Sequence, residues 1–309
     1  MNSTVTVPSF AKINWHLQIL GKRNDGYHEL RTILQTITLH DVLHFDRRAD
    51  GAITLECSDE SIPTDSSNLI VRAANALRKR CGVSAGAHIV LEKKIPANAG
   101  LGGGSSNAAV SLLALAFLWK IEIDQPSLLK TATELGADVP FFLLGGMALA
   151  EGTGTTLSAL PDPASQHLII IKPKAGVSTA DAYASLNSGA LTTLSTDPIL
   201  SSSPTPPHFS DLEPAVTLKD LRNDFESVIF DMEPEIRRSK EALLQAGARE
   251  ALLAGSGASV FGVFPDQRDR QLGIEKIQTE AGWRVFACDT LSRNEYIRAL
   301  TVNDVSLIR

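Results

Sequence analysis

A glycine-rich loop is the part of the sequence whose residue types most directly predict chemistry. In NAGLGGGSSNAAVSLLALAFLW, residues 98–119, four of the five positions from Gly100 to Gly104 are glycine, and an apolar helical pattern follows. Free backbone N–H groups at a helix N-terminus, the helix dipole and the close approach that glycine permits together favour a bound anion. Ser105 and Ser106 add hydroxyl donors at the rim. The loop is therefore predicted to bind phosphate; a flexible strand-to-helix connection is the alternative.

The spacing of the glycines matches neither of the two common phosphate-binding loops. The pattern GxxxxGK[ST] requires a lysine that is missing here. The pattern GxGxxG, counted from Gly100 or Gly102, reaches Ser105 or Asn107 where its last glycine belongs. A Rossmann oxidoreductase is therefore disfavoured, and residues elsewhere in the chain must decide what carries the phosphate.

The elements around the loop alternate between strand and helix patterns, which predicts an α+β fold. TVTVPSFAKINWHLQIL, ITLHDVLHFD, GAITLEC and AHIVLEKKIP alternate as strands, and NLIVRAANALRKR has helical spacing. The loop joins the last of these strands to a helix predicted to begin near Ser105. A further helix, PSLLKTATEL, has Pro126 in its first turn and ends at Gly136, and Pro140 forces a break beside Asp138.

The second half of the chain has its own pattern, and we predict two domains, residues 1–163 and 164–309. The stretch PDPASQH looks like the connector between them. The later elements follow the order β-α-β-β-α-β with extra helices, which is typical of a ferredoxin-like domain. Residues 187–214 are rich in Ser, Thr and Pro and are predicted to form a long loop.

Composition excludes several other classes of protein. The chain has 309 residues, 43% of them hydrophobic, and a net charge of -6, which gives no electrostatic reason to expect nucleic acid or an anionic membrane. Its longest apolar run, Leu112 to Trp119, is too short to cross a bilayer. Three widely spaced cysteines without a CxxC pair fit a reducing cytoplasm.

Three separated segments resemble the motifs of the kinase superfamily named for galactokinase, homoserine kinase, mevalonate kinase and phosphomevalonate kinase, the GHMP kinases. They are PSFAKINWHLQILGKRNDGYHEL, IPANAGLGGGSSNAA and LLAGSGASVFGVF, in that order, and they extend over nearly the whole chain. Within the superfamily, AKIN, DGYHEL, the extended glycine loop and LGADVPFFL resemble the family of 4-diphosphocytidyl-2-C-methyl-D-erythritol kinases, enzymes of non-mevalonate isoprenoid synthesis.

The resemblance implies a fold, a reaction and its ligands. The fold would be that of GHMP kinases, with a ribosomal-protein-like N-terminal domain, a ferredoxin-like C-terminal domain and the active site in the cleft between them. The reaction would transfer the γ-phosphoryl group of ATP to the 2-hydroxyl of a cytidine diphosphate methylerythritol, a small-molecule partner. ATP is expected as its magnesium complex, although the sequence names no protein ligand for the metal.

By this resemblance, Asp138 in LGADVP is the catalytic carboxylate and Lys12 in AKIN is its cationic partner. A carboxylate that orients the hydroxyl and accepts its proton, beside a positive charge, accounts for much of what phosphoryl transfer asks of a protein. The alternatives are that Asp138 caps the next short helix and that Lys12 is a solvated lysine on an edge strand.

Substrate-binding positions follow from the same resemblance. Tyr27 and His28 in DGYHEL would bind the cytosine, Tyr183 would close on it as a second aromatic, and Asn14 would hold the substrate near the lysine. The alternatives are a turn with a half-buried aromatic for Tyr27 and His28, a core aromatic for Tyr183, and a polar residue at a strand edge for Asn14.

The family's ATP positions correspond to two isolated residues and a continuous run. The GSG turn, Gly255 to Gly257, would line the cleft, and otherwise reads as a hairpin turn. Asn68 reads equally as the N-cap of its helix. The predicted ATP-binding residues are Asn68, Lys94, Pro96, Ala97, Asn98, Ala99, Gly100, Leu101, Gly102, Gly103, Gly104, Ser105 and Ser106.

Two rival functions stay open at this point. A sibling kinase acting on homoserine or a mevalonate derivative would share the glycine loop, and only DGYHEL and the cytosine-facing aromatics argue against it. A nucleotide- or sugar-binding regulator without catalysis would need neither Lys12 nor Asp138.

Overall fold

The described part of the chain folds into two large β-sheets that pack face to face, with helices on their outer sides and a small two-stranded sheet near the end of the chain. The computed structural model describes residues 4–189 and 221–308, with the backbone alone at 187–189. From residue 190 onward, the loop predicted at 187–214 lies outside the described residues. Among the residues described, no helix combines the length and the apolar character needed to span a bilayer.

The first sheet has the strand order β3-β4-β2-β1-β8, with β5 beside β2 and β6 beyond β5. Its helices α1, α2 and α3 cover one face, and α2 is buried almost all round because it packs between the sheet and its neighbours. The elements of this layer are β1 (Val5–Lys22), β2 (His28–Arg48), β3 (Ile53–Cys57), α1 (Leu69–Cys81), β4 (Gly86–Glu92), α2 (Gly103–Leu118), α3 (Gln125–Leu135), β5 (Met147–Gly152), β6 (Thr156–Ala159) and β8 (Arg222–Asn223).

The long hairpin β1–β2 decides which side chains reach the site. Successive side chains of a strand point to opposite faces. Ala11, Ile13 and Trp15 therefore pack in the apolar layer between the two sheets. Lys12 and Asn14, which alternate with them, point to the other face, on the side of α2.

The second sheet has the order β11-β7-β10-β9 and is antiparallel throughout. In chain order this is 4-1-3-2, the arrangement expected of a ferredoxin-like domain. All four residues of the run Leu168–Ile171 in β7 are buried, since one face of the sheet meets the first sheet and the other meets helices. The elements are β7 (His167–Lys172), α4 (Thr179–Gly189), α5 (Glu226–Met232), α6 (Pro234–Gln245), β9 (Glu250–Leu253), β10 (Val260–Phe264), α7 (Gln267–Lys276) and β11 (Arg284–Asp289).

The chain crosses between the layers more often than two consecutive domains would. β8 adds to the first sheet as a short parallel partner of β1. After β11, the final elements α8 (Arg293–Ala299), β12 (Thr301–Val302) and β13 (Val305–Ser306) return to the core of the first layer. The division at residues 163 and 164 falls between β6 and β7, where the sheets separate. As a domain boundary it stays a prediction.

Tyr296 anchors this returning segment. Its side chain is fully buried, and its hydroxyl donates to the carbonyl oxygen of Phe142 at 2.6 Å. We expect Tyr296→Phe to lower the free energy of unfolding by about 1–3 kcal/mol, because a buried carbonyl loses its donor while packing is kept. Ser306→Ala, in the same segment, removes only a partly buried hydrogen bond to the carbonyl of Ile308 and is expected to lower it by less than about 1 kcal/mol. Chemical denaturation of both variants checks this, and equal effects would contradict the anchoring role.

Candidate active site

A single cleft of about 1130 Å³ collects most of the predicted site residues from both halves of the chain. Its walls come from the β1–β2 hairpin, the start of α1, the glycine loop, the turn before Pro140, α4 and the turn between β9 and β10. The predicted residues that line it are Lys12, Asn14, Tyr27, His28, Asn68, Pro96, Ala97, Asn98, Ala99, Gly100, Leu101, Gly102, Gly103, Gly104, Ser105, Asp138, Tyr183 and Gly255.

The glycine loop leaves the first turn of α2 open toward the cleft. Gly100 and Gly102 have φ angles of 75° and 70°, in the left-handed region that glycine adopts without strain. α2 begins at Gly103, two residues before the predicted start, and its first turn has neither a side-chain cap nor an acidic residue. The amides of this turn are therefore available to an anion, and the helix dipole favours one.

The GSG turn packs directly against the glycine loop. A Cβ atom on Gly100 would lie 1.9 Å from the carbonyl oxygen of Ala254, and one on Gly257 would lie 2.3 Å from the backbone nitrogen of Gly100. The amide of Ser259 donates to the carbonyl of Ala99 at 3.2 Å. The turn does connect two hairpin strands, and it also forms part of the cleft wall.

Lys12 and Asp138 meet in the middle of the cleft. The ammonium of Lys12 is 3.7 Å from Asp138 Oδ2, and its side chain is 5% exposed, whereas that of Asp138 is 42% exposed. Lys12 is therefore not a solvated lysine. Asp138 does not cap the short 3-10 helix Pro140–Leu143, whose N-cap is Val139 without a side-chain hydrogen bond. A buried cation thus stands beside a carboxylate that solvent and ligands can reach.

Asn14 fixes the ammonium from the other side. Its Oδ1 accepts from Lys12 Nζ at 2.8 Å, and its Nδ2 donates to Thr32 Oγ1 at 2.7 Å. Thr32 in turn donates to the carbonyl of His16 at 2.6 Å, so its hydroxyl accepts from the amide and keeps Oδ1 turned toward Lys12. Asn14 is buried and not a loose polar residue at a strand edge.

An aromatic group, made of Tyr27, His28, Tyr183 and Phe225, lines the cleft. The rings of His28 and Tyr183 stack with centroids 4.8 Å apart, and Tyr183 meets Phe225 edge-on at 4.9 Å. Burial, and after it the negative charge of Asp138, raise the pKa of Tyr183 to about 12. Tyr27 is 67% exposed at the mouth. Tyr183 is thus partly packed, as the alternative expected, and it also lines the cleft.

Family models match two parts of the chain, and curated relatives match most of its length. The model described as GHMP kinases N terminal domain matches residues 68–146, and GHMP kinases C terminal matches residues 210–282. A 4-diphosphocytidyl-2-C-methyl-D-erythritol kinase from Pelotomaculum thermopropionicum is 41% identical over 284 residues, 89% of this chain and 95% of the relative. One from Chlorobium phaeobacteroides is 42% identical over 274 residues, 86% and 91% of the two chains. The chain belongs to this family of GHMP kinases.

Solved structures agree with this membership. A crystal structure of 4-(cytidine 5'-diphospho)-2C-methyl-D-erythritol kinase aligns with a TM-score of 0.72 at 32% identity, covering 93% of this chain and 99% of that one. A mevalonate kinase from Methanococcus jannaschii aligns with a TM-score of 0.67 at 12% identity, which shows the shared fold alone. The GHMP kinase fold predicted from the motifs is confirmed.

Two predicted positions of this GHMP kinase lie off the cleft. Lys94 is exposed and does not line it, and Ser106 is fully buried, where its hydroxyl accepts from Ser9 Oγ at 2.7 Å. Lys93 lines the cleft in place of Lys94. Its ammonium bonds Asp41 Oδ2 at 2.8 Å, and Asp41 is fully buried. Neighbouring residues at a strand end point to opposite sides, and the sequence does not say which of two adjacent lysines faces inward.

Asn68 both caps α1 and lines the cleft. Its Oδ1 accepts from the amide of Ile70 at 2.9 Å as the N-cap of α1, and its Nδ2 donates to the carbonyl of Pro63 at 2.7 Å. The N-cap reading is confirmed, and the predicted contact with ATP stays a prediction. Both hydrogen bonds fix the position of the side chain on the wall.

Proposed function

We propose that this chain transfers the γ-phosphoryl group of ATP to the 2-hydroxyl of 4-(cytidine 5'-diphospho)-2-C-methyl-D-erythritol, the substrate that the names of its relatives give. The observation that carries the proposal is the Lys12–Asp138 pair, held between an anion-binding loop and an aromatic group. Binding alone would require neither a reachable carboxylate nor a buried cation beside it. A regulator without catalysis is therefore disfavoured.

Each part of the cleft would have its own role in the reaction. The N-terminus of α2 and the glycine loop would bind the phosphates of ATP. Asp138 would orient the 2-hydroxyl and accept its proton while the oxygen bonds to the γ-phosphorus and the bond to the β-phosphate oxygen breaks, releasing ADP. Lys12 would stabilise the negative charge that develops on the attacking oxygen. Asn14 would keep the ammonium in place.

A magnesium ion would neutralise charge on the phosphates of ATP. Asp138 is the one carboxylate that lines the cleft among the described residues, and no cluster of three metal-binding side chains occurs among them. Asn107 Oδ1 is buried without a hydrogen-bond partner and belongs to a residue lining the same cleft. Oxygen ligands suit Mg²⁺, which usually takes few ligands from protein. Asn107 and the hydroxyl of Ser105, with phosphate oxygens, would hold the ion.

Recognition of cytosine is the proposed role of the aromatic group. Tyr27, exposed at the mouth, would stack on the base, and His28 would meet its polar edge. We expect Tyr27→Ala to raise KM for the cytidine substrate by roughly 5- to 150-fold, since stacking on an aromatic side chain contributes about 1–3 kcal/mol per base. KM for ATP should change less than about threefold, because Tyr27 is not part of the glycine loop proposed to bind the phosphates.

Leu20→Ala is the matched control for Tyr27→Ala. Leu20 lies on the same hairpin and is 50% exposed, and it does not line the cleft. Steady-state kinetics of both variants with each substrate varied in turn make the comparison. Equal changes in the two variants, or an unchanged KM for the cytidine substrate in Tyr27→Ala, would remove Tyr27 from cytosine binding.

A sibling kinase is the second candidate function, because homoserine and mevalonate kinases share this fold. A homoserine kinase from Cytophaga hutchinsonii aligns with a TM-score of 0.63 at 20% identity. Coupled measurement of ADP release with the cytidine diphosphate methylerythritol, homoserine and mevalonate decides between them. We expect turnover with the first alone. Turnover of either of the others without the first would overturn the proposed substrate.

We also propose that the chain works in the cytoplasm. All three cysteines are free, which fits a reducing compartment. Burial also raises the pKa of the thiols of Cys57, Cys81 and Cys288, so their reactive thiolate forms are disfavoured. Cys288 is buried as a small apolar side chain, whereas Cys57 and Cys81 are half-buried.

A further inference from the structure

One buried amide, that of Asn223 in β8, does not line the cleft but bonds to two residues that do, Gly255 and Phe225. Asn223 is 5% exposed. Its Nδ2 donates to the carbonyl of Leu253 at 2.8 Å and to that of Gly255 at 2.7 Å, and its Oδ1 accepts from the amide of Phe225 at 3.0 Å. A carboxamide carries two N–H donors and an acceptor in one plane. Asn223 therefore ties three backbone groups together with a single rigid group.

Two of these groups lie at the end of β9 and in the GSG turn that follows it, close to Lys12. Leu253 ends β9, and Gly255 follows it in the GSG turn with a φ of 61°. A Cβ atom on Gly255 would lie 2.8 Å from the carbonyl oxygen of Gly100 and 3.1 Å from Lys12 Nζ. The turn therefore supports both the glycine loop and the ammonium, and a shift of its backbone must move one of them.

The third backbone group, the amide of Phe225, belongs to the aromatic group. Phe225 is fully buried and meets the ring of Tyr183 edge-on. The hydroxyl of Ser256 in the GSG turn also donates to Thr179 Oγ1 at 3.0 Å, which ties the turn to the start of the helix that carries Tyr183. Asn223 thus connects the turn on the phosphate side with the aromatic wall on the substrate side.

We propose that Asn223 is a positioning residue for phosphoryl transfer, which sets the GSG turn against Lys12 and the glycine loop. This inference rests on the proposed function. Asn223 does not line the cleft, so it acts through Gly255 and does not contact the reactants. Errors of about 1 Å in the placement of reacting groups can cost about 100-fold in rate. Loss of the two donated hydrogen bonds should therefore appear in kcat.

The test compares Asn223→Asp with Asn223→Ser in the full chain. Aspartate has the same shape and keeps the acceptor for the amide of Phe225, but it cannot donate to Leu253 and Gly255 when ionised. Serine removes the amide without burying a charge. For both variants we expect kcat to fall about 10- to 100-fold. In Asn223→Asp, KM for the cytidine substrate should stay within about threefold, because aspartate keeps the hydrogen bond from Phe225 beside the aromatic group.

Ser239→Ala controls for a loss of stability alone. Ser239 is fully buried in α6, which packs on the second sheet, and its hydroxyl donates to the carbonyl of Ile236 at 2.7 Å. All kinetics are measured well below the thermal midpoint of each variant. We expect the control to lose stability and keep its kcat.

Three outcomes are decisive. A wild-type kcat in Asn223→Ser would overturn the positioning role, and so would a fall in Ser239→Ala equal to that in Asn223→Ser. Absence of turnover in the wild-type protein with the cytidine substrate would instead overturn the proposed function, so the two failures are distinguishable. If Asn223→Asp does not fold, the comparison of the serine variant with Ser239→Ala decides.

Discussion

kcat is expected to fall by about 100- to 10,000-fold when Asp138 is replaced by asparagine. The amide keeps the size of the side chain but cannot accept the proton of the 2-hydroxyl, and it removes the negative charge 3.7 Å from Lys12 Nζ. The glycine loop and α2 are untouched, so the affinity for ATP should change little. Single-turnover phosphoryl transfer gives the rate, and calorimetric titration with a non-hydrolysable ATP analogue gives the affinity.

Asp124→Asn is the matched control for this substitution. Asp124 caps α3 by accepting from the amide of Ser127 at 2.7 Å, far from the cleft, and asparagine caps a helix about as well as aspartate. The control should keep kcat and stability. Near-normal turnover in Asp138→Asn would remove Asp138 from the proton-accepting role, and an equal loss in the control would assign the effect to folding.

Local patterns predicted most of the fold because they report how each element is buried. Alternation identified β1 and β2, and helical spacing identified α1. The order of elements in the second half predicted the ferredoxin-like sheet, whose strand order the structure confirms. The return of the last residues to the first core was missed. Tyr296 and its partner Phe142 are 154 positions apart, and such a contact leaves no periodic trace in the sequence.

The site residues likewise fall into those that local sequence patterns predict and those that they do not. The anion-binding loop could be predicted from local physics, because a strand, a run of glycines and a helix start are contiguous in the chain. The pairing of Lys12 with Asp138 came from the family resemblance, since neither residue has a local pattern that points to the other. Thr32 and Asn223 were missed, because each acts by hydrogen bonds to distant backbone or side-chain groups. The register of the β1–β2 hairpin was the one signal that could have indicated Thr32.

The contact between the glycine loop and the GSG turn predicts the second large effect. We expect Gly100→Ala to lower the free energy of unfolding by about 2–4 kcal/mol. An alanine in the left-handed region costs about 1 kcal/mol. Its Cβ would also lie 1.9 Å from a backbone oxygen, that of Ala254, which no change of rotamer can move aside. The two loops must therefore separate, and the bond from Ser259 to Ala99 is lost.

Gly104→Ala separates this contact from a general need for glycine in the loop. The nearest atom to a Cβ on Gly104 is Leu69 Cδ1 at 3.6 Å, which is ordinary contact, and Gly104 has no positive φ. Since alanine favours helix over glycine by up to about 1 kcal/mol, this variant should be as stable as wild type or more so. Thermal and denaturant unfolding measure both. Equal destabilisation would mean that flexibility of the loop, and not the close approach of two backbones, requires glycine at position 100.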